Sequence, residues 1–138
     1  MKETDFRIYH SMIIETYQHI EMKLKVLSSR LLSTEERGWF DRLDDYESDS
    51  LGKMLVKIRD IQDKKNIELF SSDDFTKMEN MRQARNYWAH ECFGGMTPIV
   101  FNKGIVKRPA YATRLVDDLK AAEEIESSLA EKASLLKL

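Results

Sequence analysis

Residues 6–31 read FRIYHSMIIETYQHIEMKLKVLSSRL, and their apolar positions Phe6, Tyr9, Ile13, Tyr17, Ile20, Leu24, Leu27 and Leu31 recur in steps of three and four. That spacing keeps one apolar face along a single long helix. A helix with one apolar stripe has to bury it against other elements, and four further stretches carry comparable patterns. The expected class is therefore all-α, a helical bundle of four to five helices.

Working outward, SSRLLSTEERGWF interrupts the stripe, and Ser33 followed three residues later by Glu36 has the form of a capping box. It would open a short second helix bearing Trp39, Phe40, Leu43 and Tyr46. After the polar DDYESDS, a third helix is expected through Leu51, Met54, Leu55, Ile58 and Ile61, either separate from the second or continuous with it. Ser71 with Asp74 offers another cap, for a fourth helix from about Asp73 to Phe93 that Gly94 and Gly95 close through the left-handed conformation open to glycine. Residues 97–108 allow a short hairpin around Asn-Lys-Gly or a long loop. Pro109 then starts a last helix whose stripe is Tyr111, Leu115, Leu119, Ala122, Ile125, Leu129 and Leu136. The two longest helices, at the chain ends, are expected to pack together.

The 138 residues suit one domain, 1–138, with a core of its own. Lysine and arginine number 22 against 24 acidic residues, so any nucleic-acid contact must come from a local patch, not from a global basic field. The lone Cys92 excludes an internal disulfide and fits a reducing compartment. Neither a secretory h-region nor a run of about 20 apolar residues is present, so the expected location is the cytoplasm, without membrane attachment. No acidic set has a calcium-loop pattern, and neither a metal nor a cofactor is expected. His10 and His19 read as structural, partly exposed histidines, and Asp117 and Asp118 as part of a solvated face.

The fourth helix holds the anomaly. RQARNYWAHECF, Arg82–Phe93, sets two arginines, an asparagine and a histidine among Met81, Trp88, Ala89 and Cys92. On a wheel with Arg82 at zero, Arg85 falls near about −60°, inside the apolar arc, while Asn86 and His90 lie at its margin near about +40° and +80°. A guanidinium there must reach solvent, pair with a carboxylate such as Glu15, Glu21, Asp45 or Glu47, or await an anion. In the last case Arg85 and His90 form one site. An imidazole can take the proton of a ribose 2′-hydroxyl, and a fixed guanidinium can stabilise charge on the phosphorus oxygens. The substrate would be RNA, because DNA lacks that nucleophile. Lys103, Lys107 and Arg108, together with Arg82, are the candidate phosphate-binding residues around it.

With nine arginines and three histidines, an Arg followed five positions later by His arises by chance about 0.2 times, so the fuller string has to carry the reading. That string, Arg85-Asn86-Tyr87-Trp88-Ala89-His90, in a late-middle helix preceded by one beginning SLGKML, resembles the R-x4-6-H signature of the HEPN superfamily. The resemblance covers the signature helix closely and the rest of the chain only in helical layout. It implies an up-and-down helical domain and a homodimer whose signature helices face each other across a composite cleft. It also implies a metal-independent endoribonuclease of the toxin or defence class, acting on single-stranded RNA and paired with an antitoxin or regulatory protein. Arg85, Asn86 and His90 would be its catalytic residues. The alternative is a non-catalytic HEPN module that binds a partner protein, a nucleotide or RNA. Cys92 stands where members paired with nucleotidyltransferase antitoxins often carry a tyrosine.

Overall fold

Among the described residues, five helices and one two-stranded hairpin follow in the order α1 (Glu3–Leu31), α2 (Trp39–Leu43), α3 (Leu51–Lys65), α4 (Ser72–Asn86), β1 (Phe101–Asn102), β2 (Ile105–Val106) and α5 (Pro109–Leu135). A 3-10 turn, Asp44–Tyr46, prolongs α2, and a π turn, Tyr87–Glu91, prolongs α4. This computed structural model describes residues 1–95 and 98–136. The architecture is the expected all-α helical bundle.

Helix α1 forms where its stripe places it. Phe6, Ile13, Tyr17, Ile20, Leu24 and Leu27 are buried, with Tyr9 and Leu31 half-buried at the margin. Each fully buried side chain of this size contributes about 1.5–3 kcal/mol relative to exposure. The acidic Glu3 and Asp5 in the first turn complement the helix dipole. Its main partner is α5, which opens with Pro109 in the first turn, where a missing N–H costs nothing, and buries Ala112, Leu115, Leu119, Ala122 and Leu129. Lys23 reaches across to Glu126 at the surface of this pair. Leu136, the last member of the expected stripe, is exposed.

The segment between α1 and α3 departs from expectation at its start. Ser33 and Glu36 do not cap a helix. Thr34 N–H donates to the Arg37 carbonyl at 2.9 Å and Arg37 N–H donates to Thr34 Oγ1 at 3.0 Å, closing a local turn instead. Threonine hydroxyls compete with helix formation in this way. Helix α2 consequently begins only at Trp39, whose ring lies 4.4 Å from the Arg30 guanidinium carbon, and Phe40 is left 72% exposed. Helices α2 and α3 are separate, because Ser50 caps α3 by accepting from Lys53 N–H. Asn66 ends α3 in the left-handed conformation, at φ 53°. In the connector, the Gln62 amide grips Phe70 from both sides, accepting from its N–H at 2.7 Å and donating to its carbonyl at 3.0 Å. Leu69 and Phe70 thereby stay in the core.

Of the two readings left open for residues 97–108, the chain adopts the hairpin; Met96 and Thr97 lie outside the described residues. Phe101 pairs with Val106 and Asn102 with Ile105. The two-residue loop Lys103–Gly104 has φ of 52° and 74°, the double positive φ that a type I′ turn requires and that glycine adopts without strain. The chain start lines the hairpin: Glu3 N–H donates to the Gly104 carbonyl and Val106 N–H to the Met1 carbonyl. No helix among the described residues is long and apolar enough to cross a membrane.

Candidate functional site

The expected capping box starts α4. Ser71 N–H donates to Asp74 Oδ2 at 2.9 Å and Asp74 N–H donates to Ser71 Oγ at 3.1 Å. The Ser71 backbone N–H, more than any other contact, holds the Asp74 carboxyl below its ordinary range. From this start α4 buries Phe75, Met78 and Met81 and runs regularly to Asn86.

The expected helix to Phe93 changes character inside the signature string. Cys92 N–H donates to the Tyr87 carbonyl at 2.9 Å, an i→i+5 bond in place of i→i+4. The substitution displaces one backbone group, since in an α-helix the same N–H would satisfy the Trp88 carbonyl. That carbonyl instead accepts from His10 Nε2 at 2.7 Å and from the Cys92 thiol at 3.2 Å. His10 therefore carries its proton on Nε2 and ties α1 to the π turn. Burial holds the Cys92 thiol above its ordinary pKa, so it serves as a small buried donor.

Two residues of α5 clamp the turn from the other side. Trp88, fully buried, donates from Nε1 to Asp118 Oδ2 at 2.7 Å, and Arg114 lies 3.6 Å from the same carboxylate oxygen. The Arg114 guanidinium carbon stands 4.0 Å from the Tyr87 ring centroid. Asp118 is thus a structural partner and does not belong to a purely solvated face. Reading the sequence missed His10, Arg114 and Asp118 as supports. The available signals were the need of a buried indole for an acceptor and the i, i+4 spacing of Arg114 and Asp118.

The widened turn also moves the signature residues relative to one another. In a continuous α-helix, residues five apart differ by about 140°. An i→i+5 turn rotates less per residue and draws His90 back toward the face of Arg85. Arg85 is half-buried, while Asn86 and His90 are exposed. Among the described residues, the side chains of all three make no hydrogen bond or ion pair. The carboxylates considered as partners for Arg85 are placed otherwise. Glu15 faces His19 at 3.7 Å, Glu21 pairs with Lys25 at 3.2 Å, and Asp45 pairs with Arg37 at 2.7 Å. Glu47 is exposed, and among the described residues its carboxylate makes no ion pair.

Arg82 differs from Arg85. Glu79 takes its guanidinium, with Nε 3.0 Å from both carboxylate oxygens, and its stem crosses α3 at Gly52, where an added Cβ would lie 3.2 Å from Arg82 Cδ. Lys103, Lys107 and Arg108 are all exposed, the first on the hairpin tip and the last at the N-cap of α5. The hairpin and the π turn share one anchor, Phe6, whose ring contacts Trp88, Phe93 and Phe101 at centroid distances of 6.2, 6.3 and 5.6 Å. The three cations therefore belong to the same end of the bundle as His90. Gly95 closes the segment by close approach, not by a left-handed turn: its φ is not positive, and a Cβ there would sit 2.8 Å from the Cβ of Glu91. Among the described residues no three His, Cys, Asp or Glu side chains are grouped to hold a metal ion.

Comparison of the chain with protein-family models, curated proteins and solved structures finds no match.

Proposed function

We propose that the protein is a HEPN-type, metal-independent endoribonuclease of the toxin or defence class, working in the cytoplasm as a homodimer whose two π-turn segments face each other across a composite cleft. The observation that carries this reading is Arg85: a half-buried residue whose guanidinium makes no ion pair among the described residues, on the same helical segment as an exposed, unpaired His90. A structural arginine in that position would be held by a carboxylate, as Arg82 is held by Glu79.

In the proposed reaction the His90 imidazole takes the proton of a ribose 2′-hydroxyl as its oxygen attacks the adjacent phosphorus. Arg85 donates to the non-bridging oxygens as their charge grows, and Asn86 orients one of these two side chains. The bond from phosphorus to the 5′-oxygen breaks, and that oxygen takes up a proton. The products are a 2′,3′-cyclic phosphate and a free 5′-hydroxyl. Lys103, Lys107 and Arg108 supply backbone contacts for single-stranded RNA, and an antitoxin or regulatory protein would cover the same end of the bundle.

The test is incubation of end-labelled single-stranded RNA, and of DNA of the same sequence, with the protein in EDTA. Cleavage of the RNA alone, leaving cyclic-phosphate ends, is the expected result. Intact RNA across varied sequences, with binding retained, would replace this reading by the non-catalytic HEPN module.

A further inference from the structure

A cavity of about 330 Å³ opens between α4 and α5, away from the hairpin, with Tyr17 of α1 in its wall. Its floor is apolar, formed by Phe70, Met78, Met81, Ile125 and Leu129. The volume is that of a small-molecule site, and two methionines give the floor a surface that adapts to a flat body. Three features give the cavity chemistry as well as shape.

Tyr17 is 3% exposed, and among the described residues its hydroxyl has no hydrogen-bond partner. Leaving a buried hydroxyl unsatisfied is unfavourable, and an acceptor brought by a ligand would relieve it. Burial, more than the nearby Asp118 carboxylate, pushes the phenol well above its ordinary pKa, so it remains a donor. The second feature is an uneven rim. Asp74, Asp118 and Glu124 line the cavity against one cation, Lys77. Lys132 and Arg114 stand beside Asp74 and Asp118, and Lys77 pairs with Asp73 at 3.4 Å, so the uncompensated charge on the rim is Glu124. The third feature is the pair Asn80 and Ser128, whose side chains line the cavity without a hydrogen bond among the described residues.

We infer that this cavity binds a small organic cation with a flat apolar body, an ammonium group facing Glu124 and an oxygen acceptor for the Tyr17 hydroxyl. A phosphodiester is disfavoured by the acidic rim, so the site is distinct from the proposed RNA cleft. Asp118 joins the two, because the carboxylate in the cavity wall is the one that receives the Trp88 indole of the π turn.

Tyramine, its neutral analogue tyrosol and its anionic analogue hydroxyphenylpropanoate share one body and differ in charge. Each is titrated into protein labelled at the methionine methyls. Tyramine is expected to shift the Met78 and Met81 signals, tyrosol to bind more weakly, and the anion to leave both signals unmoved. Glu124→Gln is expected to weaken tyramine about threefold to tenfold and to leave tyrosol unchanged. Ala121→Trp, at an exposed helical position on the wall, is expected to abolish binding of both in a protein that still folds. Silence of both methionines with all three compounds, equal binding of the anion, or tyramine binding that survives Ala121→Trp would each overturn the inference. None of these readouts depends on RNA cleavage.

Discussion

The α1–α5 pair and the turn at Tyr87–Glu91 use the same helical backbone in opposite ways. Along α1 and α5 the apolar stripes face each other, polar groups such as Lys23 and Glu126 meet at the surface, and the backbone bonds are ordinary. In the turn the backbone bonding itself shifts by one residue and a carbonyl must be satisfied from another helix, and in or just before it three polar side chains are left without partners among the described residues. The first arrangement spends its side chains on stability. The second holds Trp88 rigidly from inside while leaving Arg85, Asn86 and His90 free outside, which is the division expected of a site on a fixed scaffold.

The sharpest break in that comparison comes from the buried side. Trp88→Ala removes a fully buried indole with its bond to Asp118, and should cost about 3–5 kcal/mol in urea unfolding. A loss below about 1 kcal/mol would mean that the turn is not anchored through this ring. Next in size is His10→Ala, which leaves the Trp88 carbonyl to the thiol alone. A loss of about 1–3 kcal/mol is expected, with faster amide exchange localised at Glu91 and Cys92; uniform exchange would deny His10 its part in holding the turn.

Ser71→Ala should cost about 1 kcal/mol through the cap of α4. The same cap sets a pH dependence. The folded Asp74 carboxyl sits below its ordinary pKa, so its contribution is complete above the ordinary carboxylate range and fades as pH falls through the lowered value. Stability measured from neutral to acid pH should therefore decline less in Asp74→Asn than in wild type. The smallest effect belongs to Arg82→Ala: its pair with Glu79 is at the surface, and the unfolding midpoint should stay within error of wild type.

How much of this was legible depends on whether the signal is local. The α1 stripe, the Ser71–Asp74 cap and Pro109 at the start of α5 are local, and each appears as read. Ser33 and Glu36 carried the same kind of signal and failed, because Thr34 and Arg37 form a competing turn within the same residues. The hairpin stayed open as an alternative until the positive φ of Lys103 and Gly104 resolved it. The π turn had no signature in the side-chain pattern, since its cause is an exchange of backbone partners stabilised by His10, 78 residues away from Trp88 in sequence. Arg114 and Asp118 also lie outside the string they support, Asp118 30 residues from Trp88. For the candidate site, the three residues share one segment by sequence alone, whereas their freedom from carboxylate partners depends on the whole bundle.

The most direct test compares unfolding free energy with RNA cleavage in Arg85→Ala and His90→Ala, at matched oligomeric state. An unpaired, site-forming pair predicts that both variants unfold within about 0.5 kcal/mol of wild type and that both lose cleavage. Marked destabilisation of Arg85→Ala, or cleavage that persists in either variant, would contradict the account and return Arg85 to a structural role.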